Sequence, residues 1–266
     1  HLDRQADYFE DYARKYTDMP MLVRLVKKDG HYLPERLLRA ADLDGHLGQA
    51  NNPEWKTLAI DEAGDRLVAP QGSVGFRWGE QGKWNLEEKD ADGKETKLRL
   101  SQILDKDHDD VVDVGFPYFG NREHDHFKGT DHPDVLLRRV PVKAVKTTQG
   151  EALVATVFDL FVANYGLDRG LGGGMVAKDY GENLPYTPAW AEAITGVPAD
   201  HIITVAREFA GNAEKTNGRS MVILGAGLNH WYHMDMNYRG IINLLVMCGC
   251  VRSEEHTSEL QSRETI

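Results

Sequence analysis

The sequence has few cysteines and no long apolar stretch. Cys248 and Cys250 are the only thiols among its 266 residues, so the chain cannot build the disulfide framework of a small secreted domain, and a reducing compartment fits best. No run approaches the roughly 18 consecutive apolar residues that a membrane helix requires. We therefore expect no direct membrane span.

An excess of positive charge is also absent. Lys and Arg total 31 against 42 Asp and Glu, which gives a net charge of −11. The basic residues do not form the cluster that attracts a phosphate backbone, so nucleic acid is not an expected partner. The hydrophobic share of 41% and the charged share of 27% are those of an ordinary globular protein with a buried core.

The two ends of the sequence have unusual features. The chain begins with His1 rather than Met, and we expect it to be a segment of a longer protein. Residues 252–266 are polar and without periodicity, and they resemble the translated read-through of a short-read sequencing adapter. We interpret residues 252–266 as an artefact and leave them out of the expected fold.

The hydrophobic pattern predicts a mixed α/β (α+β) fold in four segments. Residues 1–50 are predicted to be the end of an α/β domain, with a strand near residues 21–26 and a helix that begins at Pro34. Residues 51–150 alternate with period 2 and are predicted to form a strand-and-loop insert, which includes a hairpin between residues 56–60 and 66–69.

Helical signals dominate residues 151–219. Thr187 before Pro188 is typical of a helix start, and Gly196 of a helix end. Residues 220–251 then predict a strand at 220–224, a glycine turn and a long helix that is buried on most sides.

The glycine turn is the strongest local signal for a ligand. Gly225 and Gly227 would let a bulky group approach the main chain, and a following helix would offer free N–H groups to phosphate oxygens. The third glycine of a dinucleotide fingerprint would fall at His230, so the spacing departs from that motif. Contact with a cofactor and a purely structural turn both remain open on spacing alone.

Metal binding is not predicted at these residues. His230 and His233 could share a helix face, and Cys248 and Cys250 lie further along the chain. The C-x-C spacing is tighter than the usual zinc pattern, so the two cysteines are interpreted as buried thiols.

Several long strings of the sequence resemble one family. They are YTDMPMLV at residues 16–23, NNPEWKT at 51–57, GFRWGE at 75–80, GKWNLE at 82–87, VGFPYFG at 114–120, YTPAWAE at 186–192, GAGLNHWYH at 225–233 and DMNYRG at 235–240. With these strings the chain resembles an internal segment of the catalytic alpha subunits of respiratory, membrane-bound nitrate reductases, which are molybdopterin oxidoreductases.

The resemblance implies a fold and a function. It implies parts of α/β cofactor-binding domains with a strand-and-loop insert, in a parent enzyme that reduces nitrate to nitrite by oxygen-atom transfer. That enzyme holds molybdenum bis(molybdopterin guanine dinucleotide) and a 4Fe-4S cluster. It works with an iron-sulfur beta subunit and a membrane cytochrome b gamma subunit at the cytoplasmic face of the cell membrane.

The resemblance also assigns candidate residues. Five are expected to line the cofactor pocket: Gly225, Gly227, Asn229, His230 and His233. We assign no catalytic residue and no metal ligand to this chain, and we expect the isolated chain to retain no complete cofactor and to be inactive. The alternatives are a non-catalytic segment for structure or subunit interaction and a nicotinamide dinucleotide-binding oxidoreductase. An acid about 20 residues beyond the turn, which the second alternative needs, is missing.

Overall fold

The computed structural model describes residues 7–72, 86–90, 93–103, 110–118 and 135–250. The segment interpreted as an adapter artefact, residues 252–266, lies outside the described residues, as do the strings at 75–80 and most of 82–87. Two compact units are present. We call Asp18–Gln71 with Glu87–Ile203 the barrel unit, and His1–Thr17, Gly72–Leu86 and Thr204–Ile266 the second unit.

Helices and strands both contribute, which confirms the mixed α/β class. The strands are β1 (Leu22–Lys28), β2 (His31–Leu37), β3 (Ala59–Asp61), β4 (Arg66–Val68), β5 (Gln71–Gly72), β6 (Leu86–Glu87), β7 (Asp110–Pro117), β8 (Val135–Thr147) and β9 (Gly150–Thr156). The α-helices are α1 (Asp7–Tyr16), α2 (Val157–Asn164), α3 (Pro188–Thr195), α4 (Ala199–Thr216), α5 (Ala226–Asn229) and α6 (Met234–Met247). Short 3-10 helices cover Ala40–Asp42, Asp44–Gly48 and Pro53–Trp55. In the part of the chain that is described, no helix has the length and apolar content to cross a bilayer.

Five strands of the barrel unit form a closed barrel in the order β1-β2-β7-β8-β9. The pairs are antiparallel except β2 with β7, which run parallel. The strands come from three of the predicted segments, so the strands of residues 51–150 do not form a unit of their own. The short hairpin β3-β4 was predicted from its loop residues and is confirmed.

Two apolar clusters form the core of the barrel unit. One combines four barrel strands with α2 and contains Leu25, Val114, Phe116, Val140, Val142, Ala155, Leu160 and Ala163. The other contains Leu22, Leu38, Ala40, Leu43, Leu58, Ile60, Ala69, Val145 and Val154. Since β1, β8 and β9 contribute to both, the barrel wall carries apolar side chains on its two faces.

The predicted helix at Pro34 is wrong, because this residue lies within β2. Asp29 and Gly30 have φ angles of 49° and 87°, and they form a two-residue turn that pairs Lys28 with His31. Asp-Gly is a favoured sequence for hairpin turns with positive φ at both positions. The turn therefore starts a strand, and the ladder with β1 overrides the helix-start preference of proline.

The helix caps in the barrel unit follow the predicted chemistry. The Thr187 hydroxyl accepts a hydrogen bond from the Trp190 N–H at 3.1 Å, with Pro188 in the first turn of α3. Gly196 ends that helix with a φ of 73°. At α2 the Thr156 hydroxyl accepts from the Asp159 N–H at 3.0 Å.

A buried carboxylate joins β1, β2 and the first 3-10 helix. Asp42 accepts hydrogen bonds from the Arg36 guanidinium at 2.6 and 2.8 Å and from the Arg39 N–H at 2.9 Å, and Arg24 lies 3.3 Å away. The Arg36 hydrogen bonds lower the pKa of Asp42, although burial opposes them. The ionised form of Asp42 is therefore the one that the fold stabilises.

Neighbouring leucines on β8 provide a test of the core. Leu136 is fully buried, whereas Leu137 is 42% exposed. We expect Leu136→Ala to lower the free energy of unfolding by about 2–5 kcal/mol, through lost burial and a residual cavity. The same change at Leu137 should cost less than about 1 kcal/mol. Urea unfolding followed by tryptophan fluorescence measures both, and equal losses would contradict the assigned faces of β8.

We expect the Asp42 carboxylate to make the free energy of unfolding depend on pH. Because its folded-state pKa is lowered, its contribution is present above the unfolded pKa of about 3.9 and is lost as the pH falls through the folded pKa. At pH 7 we expect Asp42→Asn to cost about 1.5–3 kcal/mol. The difference from wild type should shrink below about pH 4. Asp44→Asn, at an exposed carboxylate, is the control, and a pH-independent cost at Asp42 would refute the assignment.

Candidate cofactor-binding segment

The candidate segment lies in the second unit between the end of α4 and the start of α6. Its entry is anchored to α4, because the Ser220 hydroxyl donates to the Phe209 carbonyl at 3.0 Å and accepts from the Asn212 amide at 2.8 Å. Gly218 reverses the chain with a φ of 81°, and a Cβ at this position would collide with the Gly249 carbonyl. The loop after α4 thus packs against the chain that follows α6.

Residues 220–224 do not form the predicted strand. They follow the hydrogen-bonded Ser220 without ladder partners in the described chain, and Met221 and Ile223 are 77% and 88% exposed. A continuous apolar run of this kind is typical of a strand that is covered on both faces of a parallel sheet. The sequence pattern is therefore right for a strand, but a strand requires a neighbour to pair with, and the second unit provides none among its described residues.

Gly225 and Gly227 leave the main chain open to solvent. Gly225 precedes α5 in an extended conformation, with φ of −131° and ψ of −177°. Both glycines are exposed, and a Cβ added to either would meet no atom within 4 Å. Neither the backbone conformation nor packing in this unit requires glycine here, so what the two residues provide is free access to the peptide groups.

The helix predicted after the glycine turn is interrupted. α5 contains four residues, and the chain then bends through His230 to His233 before α6 begins at Met234. His233 has a left-handed conformation with φ of 58°. Because α5 is one turn long, the free N–H groups that were expected to face phosphate oxygens belong to a single helical turn.

The polar candidates lie on the surface around this bend. Asn229, His230 and His233 are all exposed. The Asn229 side-chain oxygen accepts a hydrogen bond from the Tyr238 hydroxyl on α6, and the rings of Tyr232 and His233 are 4.0 Å apart between centroids. The structure therefore brings Asn229 together with Tyr238, which was not among the predicted site residues although it belongs to the string at 235–240.

The expectation of a helix buried on most sides is wrong for α6. Ile242 is 50% exposed and Leu244 is 38% exposed, and Met234 and Met236 at the other end are nearly half exposed. The apolar content of α6 is thus not matched by cover within the described chain. A helix that is apolar on most faces needs such cover, so this surface is suited to contact with further protein.

Both cysteines were predicted to be buried thiols, and the structure confirms this for Cys248 but leaves Cys250 partly exposed. Cys248 is buried, and burial raises its pKa to about 11. The Cys250 thiol donates to the Cys248 carbonyl at 3.4 Å. Metal ions bind the thiolate form, which the environment of Cys248 disfavours, and the described residues contain no group of three His, Cys, Asp or Glu side chains that could hold a metal.

Comparison with known proteins connects this segment to a family. The profile of the molybdopterin oxidoreductases matches residues 27–262. The respiratory nitrate reductase 1 alpha chain of Escherichia coli is 58% identical over 253 residues, which are 94% of this chain and 20% of the relative. The nitrate reductase alpha chain of Bacillus subtilis is 39% identical over 250 residues, 94% of this chain and 19% of the relative. The perchlorate reductase alpha subunit of Dechloromonas aromatica is 43% identical over 63 residues, 24% of this chain and 6% of the relative.

The extent of these matches has two consequences. The chain spans about a fifth of the length of the nitrate reductase alpha chains it matches, and the matched region includes the glycine turn, the bend and α6. A family profile covers most of the chain, and the chain is 58% identical to an alpha chain over 94% of its length. The chain therefore belongs to the molybdopterin oxidoreductase family.

Proposed function

We propose that this chain is a segment of the catalytic alpha subunit of a respiratory nitrate reductase, an enzyme that reduces nitrate to nitrite. The observation that carries the proposal is the 58% identity over 94% of the chain with the Escherichia coli alpha chain. Nitrate is thus the proposed substrate of the parent enzyme. Its proposed partners are an iron-sulfur beta subunit and a membrane cytochrome b gamma subunit at the cytoplasmic face of the membrane.

The proposed cofactor is molybdenum bis(molybdopterin guanine dinucleotide), and the residues of the candidate segment fit it. A pterin nucleotide is bulky and rich in hydrogen-bonding groups, so it needs main chain that it can approach closely and polar side chains around it. Gly225 and Gly227 offer peptide groups without side-chain cover, and Asn229, His230 and His233 are exposed beside them. When bound, the molybdenum centre supplies the oxygen-atom transfer.

Each residue of the segment has a proposed role in holding that group. The glycine peptides contact it directly, and the imidazoles of His230 and His233 hydrogen-bond its polar atoms. Tyr238 orients the Asn229 amide through their hydrogen bond. We assign no molybdenum ligand and no ligand of the proposed 4Fe-4S cluster to this chain.

A role in subunit or domain interaction is the second candidate. The exposed apolar residues of α6 and of residues 220–224 favour it, since such surfaces mark contacts with other protein. This role is compatible with the first, because the same segment can pack on the rest of the parent enzyme and contact the cofactor. A nicotinamide cofactor is less well supported, because the fingerprint glycine is replaced by His230 and residues 220–224 form no strand.

The isolated chain is expected to have no nitrate reductase activity. We assign it none of the metal or cluster ligands, so the purified 266-residue chain should show no nitrite formation with reduced viologen as electron donor. It should also carry less than about a tenth of an equivalent of molybdenum, which elemental analysis measures. Turnover above that of a heat-treated sample would contradict our assignment of the ligands.

Exchange of the matching segment in a complete enzyme tests the proposed function. Residues 1–251 replace the corresponding fifth of the Escherichia coli alpha chain, expressed with its partner subunits. We expect this chimera to retain molybdenum and viologen-linked nitrate reduction. His230→Ala with His233→Ala should lower the molybdenum content or the activity at least about tenfold, because hydrogen bonds to charged or polar cofactor groups are lost.

His201→Ala is the matched control, since His201 is an exposed histidine on α4 outside the candidate segment. It should change activity by less than about twofold. An assembled chimera without nitrate reduction would refute the proposed function. Full activity and molybdenum content in the double histidine variant would refute the proposed site alone.

A further inference from the structure

An open groove in the barrel unit is the strongest feature that the proposed function does not use. It is lined by the 3-10 helix Asp44–Gly48, the β3-β4 hairpin and the second half of β8. Its volume is about 340 Å³, which is at the lower end of the roughly 300–1,000 Å³ typical of small-molecule sites. The groove therefore has room for a small organic ligand.

Most of the lining is apolar. The apolar lining residues are Leu43, Leu47, Ile60, Leu67, Ala144 and Val145. Leu43, Ile60 and Val145 are buried members of one core cluster, and Leu67 packs against that cluster. A hydrocarbon group in the groove would thus rest on side chains that the core already holds in place, and its removal from water would favour binding.

The turn at one side of the groove has an unusual backbone. Four consecutive residues, Gly45, His46, Leu47 and Gly48, have φ angles of 68°, 50°, 50° and 70°. This left-handed conformation is unfavourable for His46 and Leu47, which carry a Cβ. The turn places Leu47 in the lining but leaves it 38% exposed. A ligand that covers Leu47 would complete its burial, and strained backbone of this kind is often found beside ligands.

Charged residues complete the lining, and one carboxylate among them has two cationic partners. Asp65 accepts hydrogen bonds from the Lys143 ammonium at 2.6 Å and from the Arg99 guanidinium at 2.8 Å. Burial raises the pKa of Asp65, but the hydrogen bonds from Lys143 and Arg99 outweigh burial and hold the pKa below its usual value. Asp65 is therefore ionised at neutral pH, and the ammonium of Lys143 is already engaged.

The remaining charges make the groove locally positive. Asp44 and Lys146 also line it, both are exposed, and neither has an ion-pair partner among the described residues. Together with Arg99 the site contains three cations and two carboxylates, a net charge of +1, in a chain whose net charge is −11. An apolar groove with this charge is complementary to a molecule that has an apolar body and one negative group.

We propose that this groove binds a small amphipathic carboxylate. Its hydrocarbon part lies against Leu47, Ile60 and Val145, and its carboxylate accepts a charge-assisted hydrogen bond from the Lys146 ammonium. The site lies wholly within the barrel unit. It is separate from the candidate cofactor segment and does not depend on the proposed function.

Binding of octanoate to the 266-residue chain tests the proposal. Isothermal titration calorimetry measures its affinity, and octylammonium, which has the same tail with the opposite charge, is the comparison. We expect saturable binding of octanoate and at least about tenfold weaker binding of octylammonium, because the net charge of the groove repels a cation. Absence of saturable octanoate binding, or equal affinity for the two probes, overturns the proposal.

Variants locate the bound octanoate. Lys146→Glu should weaken octanoate binding at least about tenfold, because attraction of the carboxylate is replaced by repulsion. Lys178→Glu is the matched control at an exposed lysine outside the lining, and it should change affinity by less than about threefold. Leu67→Trp fills the groove, keeps its charges and should abolish binding. Circular dichroism identifies the folded variants, and unchanged octanoate affinity in folded Lys146→Glu or folded Leu67→Trp overturns the proposal.

The assembled chimera described above distinguishes a small ligand from further protein as the occupant of the groove. We expect it to bind octanoate with the same dependence on Lys146 as the 266-residue chain. Binding to the 266-residue chain but not to the assembled chimera would assign the groove to contact with other parts of the alpha chain or its partners. That result overturns the proposal of a small-molecule site.

Discussion

The hydrogen-bonded ladder between β1 and β9 is the constraint on which the barrel unit depends. It pairs Leu22 with Thr156 and closes the order of the five strands into a ring. Thr156 is also the last residue of β9 and caps α2. The same ladder therefore fixes the residue at which α2 begins.

The second unit, unlike the barrel unit, leaves many of its apolar side chains exposed. Its described elements leave Met221, Ile223 and much of α6 exposed, although their composition is that of a buried strand and a buried helix. Relatives about five times as long match this chain over one part of their length, and further protein in a longer parent chain would supply both the sheet partner and the cover. The open glycines and the exposed imidazoles lie in the same stretch, so cofactor contact and protein contact are proposed at one surface.

Local chemistry made part of the fold predictable. The Thr187-Pro188 start and the Gly196 end of α3 were read correctly, because a capping hydroxyl and a left-handed glycine act within a few residues. Pro34 was misread, since its preference for a helix start is weaker than the Asp29-Gly30 turn and the ladder that this turn aligns. The strand predicted at residues 220–224 is also wrong, because an apolar composition does not by itself provide a strand to pair with.

The sequence by itself determined the family, the local caps and turns, and the residue types of the candidate segment, because these depend on identities and short spacings. Tertiary structure alone decided that distant strands close a barrel, that Asn229 is held by Tyr238, and that the Arg138 side chain on β8 is buried. Each of these features depends on which side chains meet in space. A linear pattern does not contain that information, because a buried arginine and an exposed one are written with the same letter.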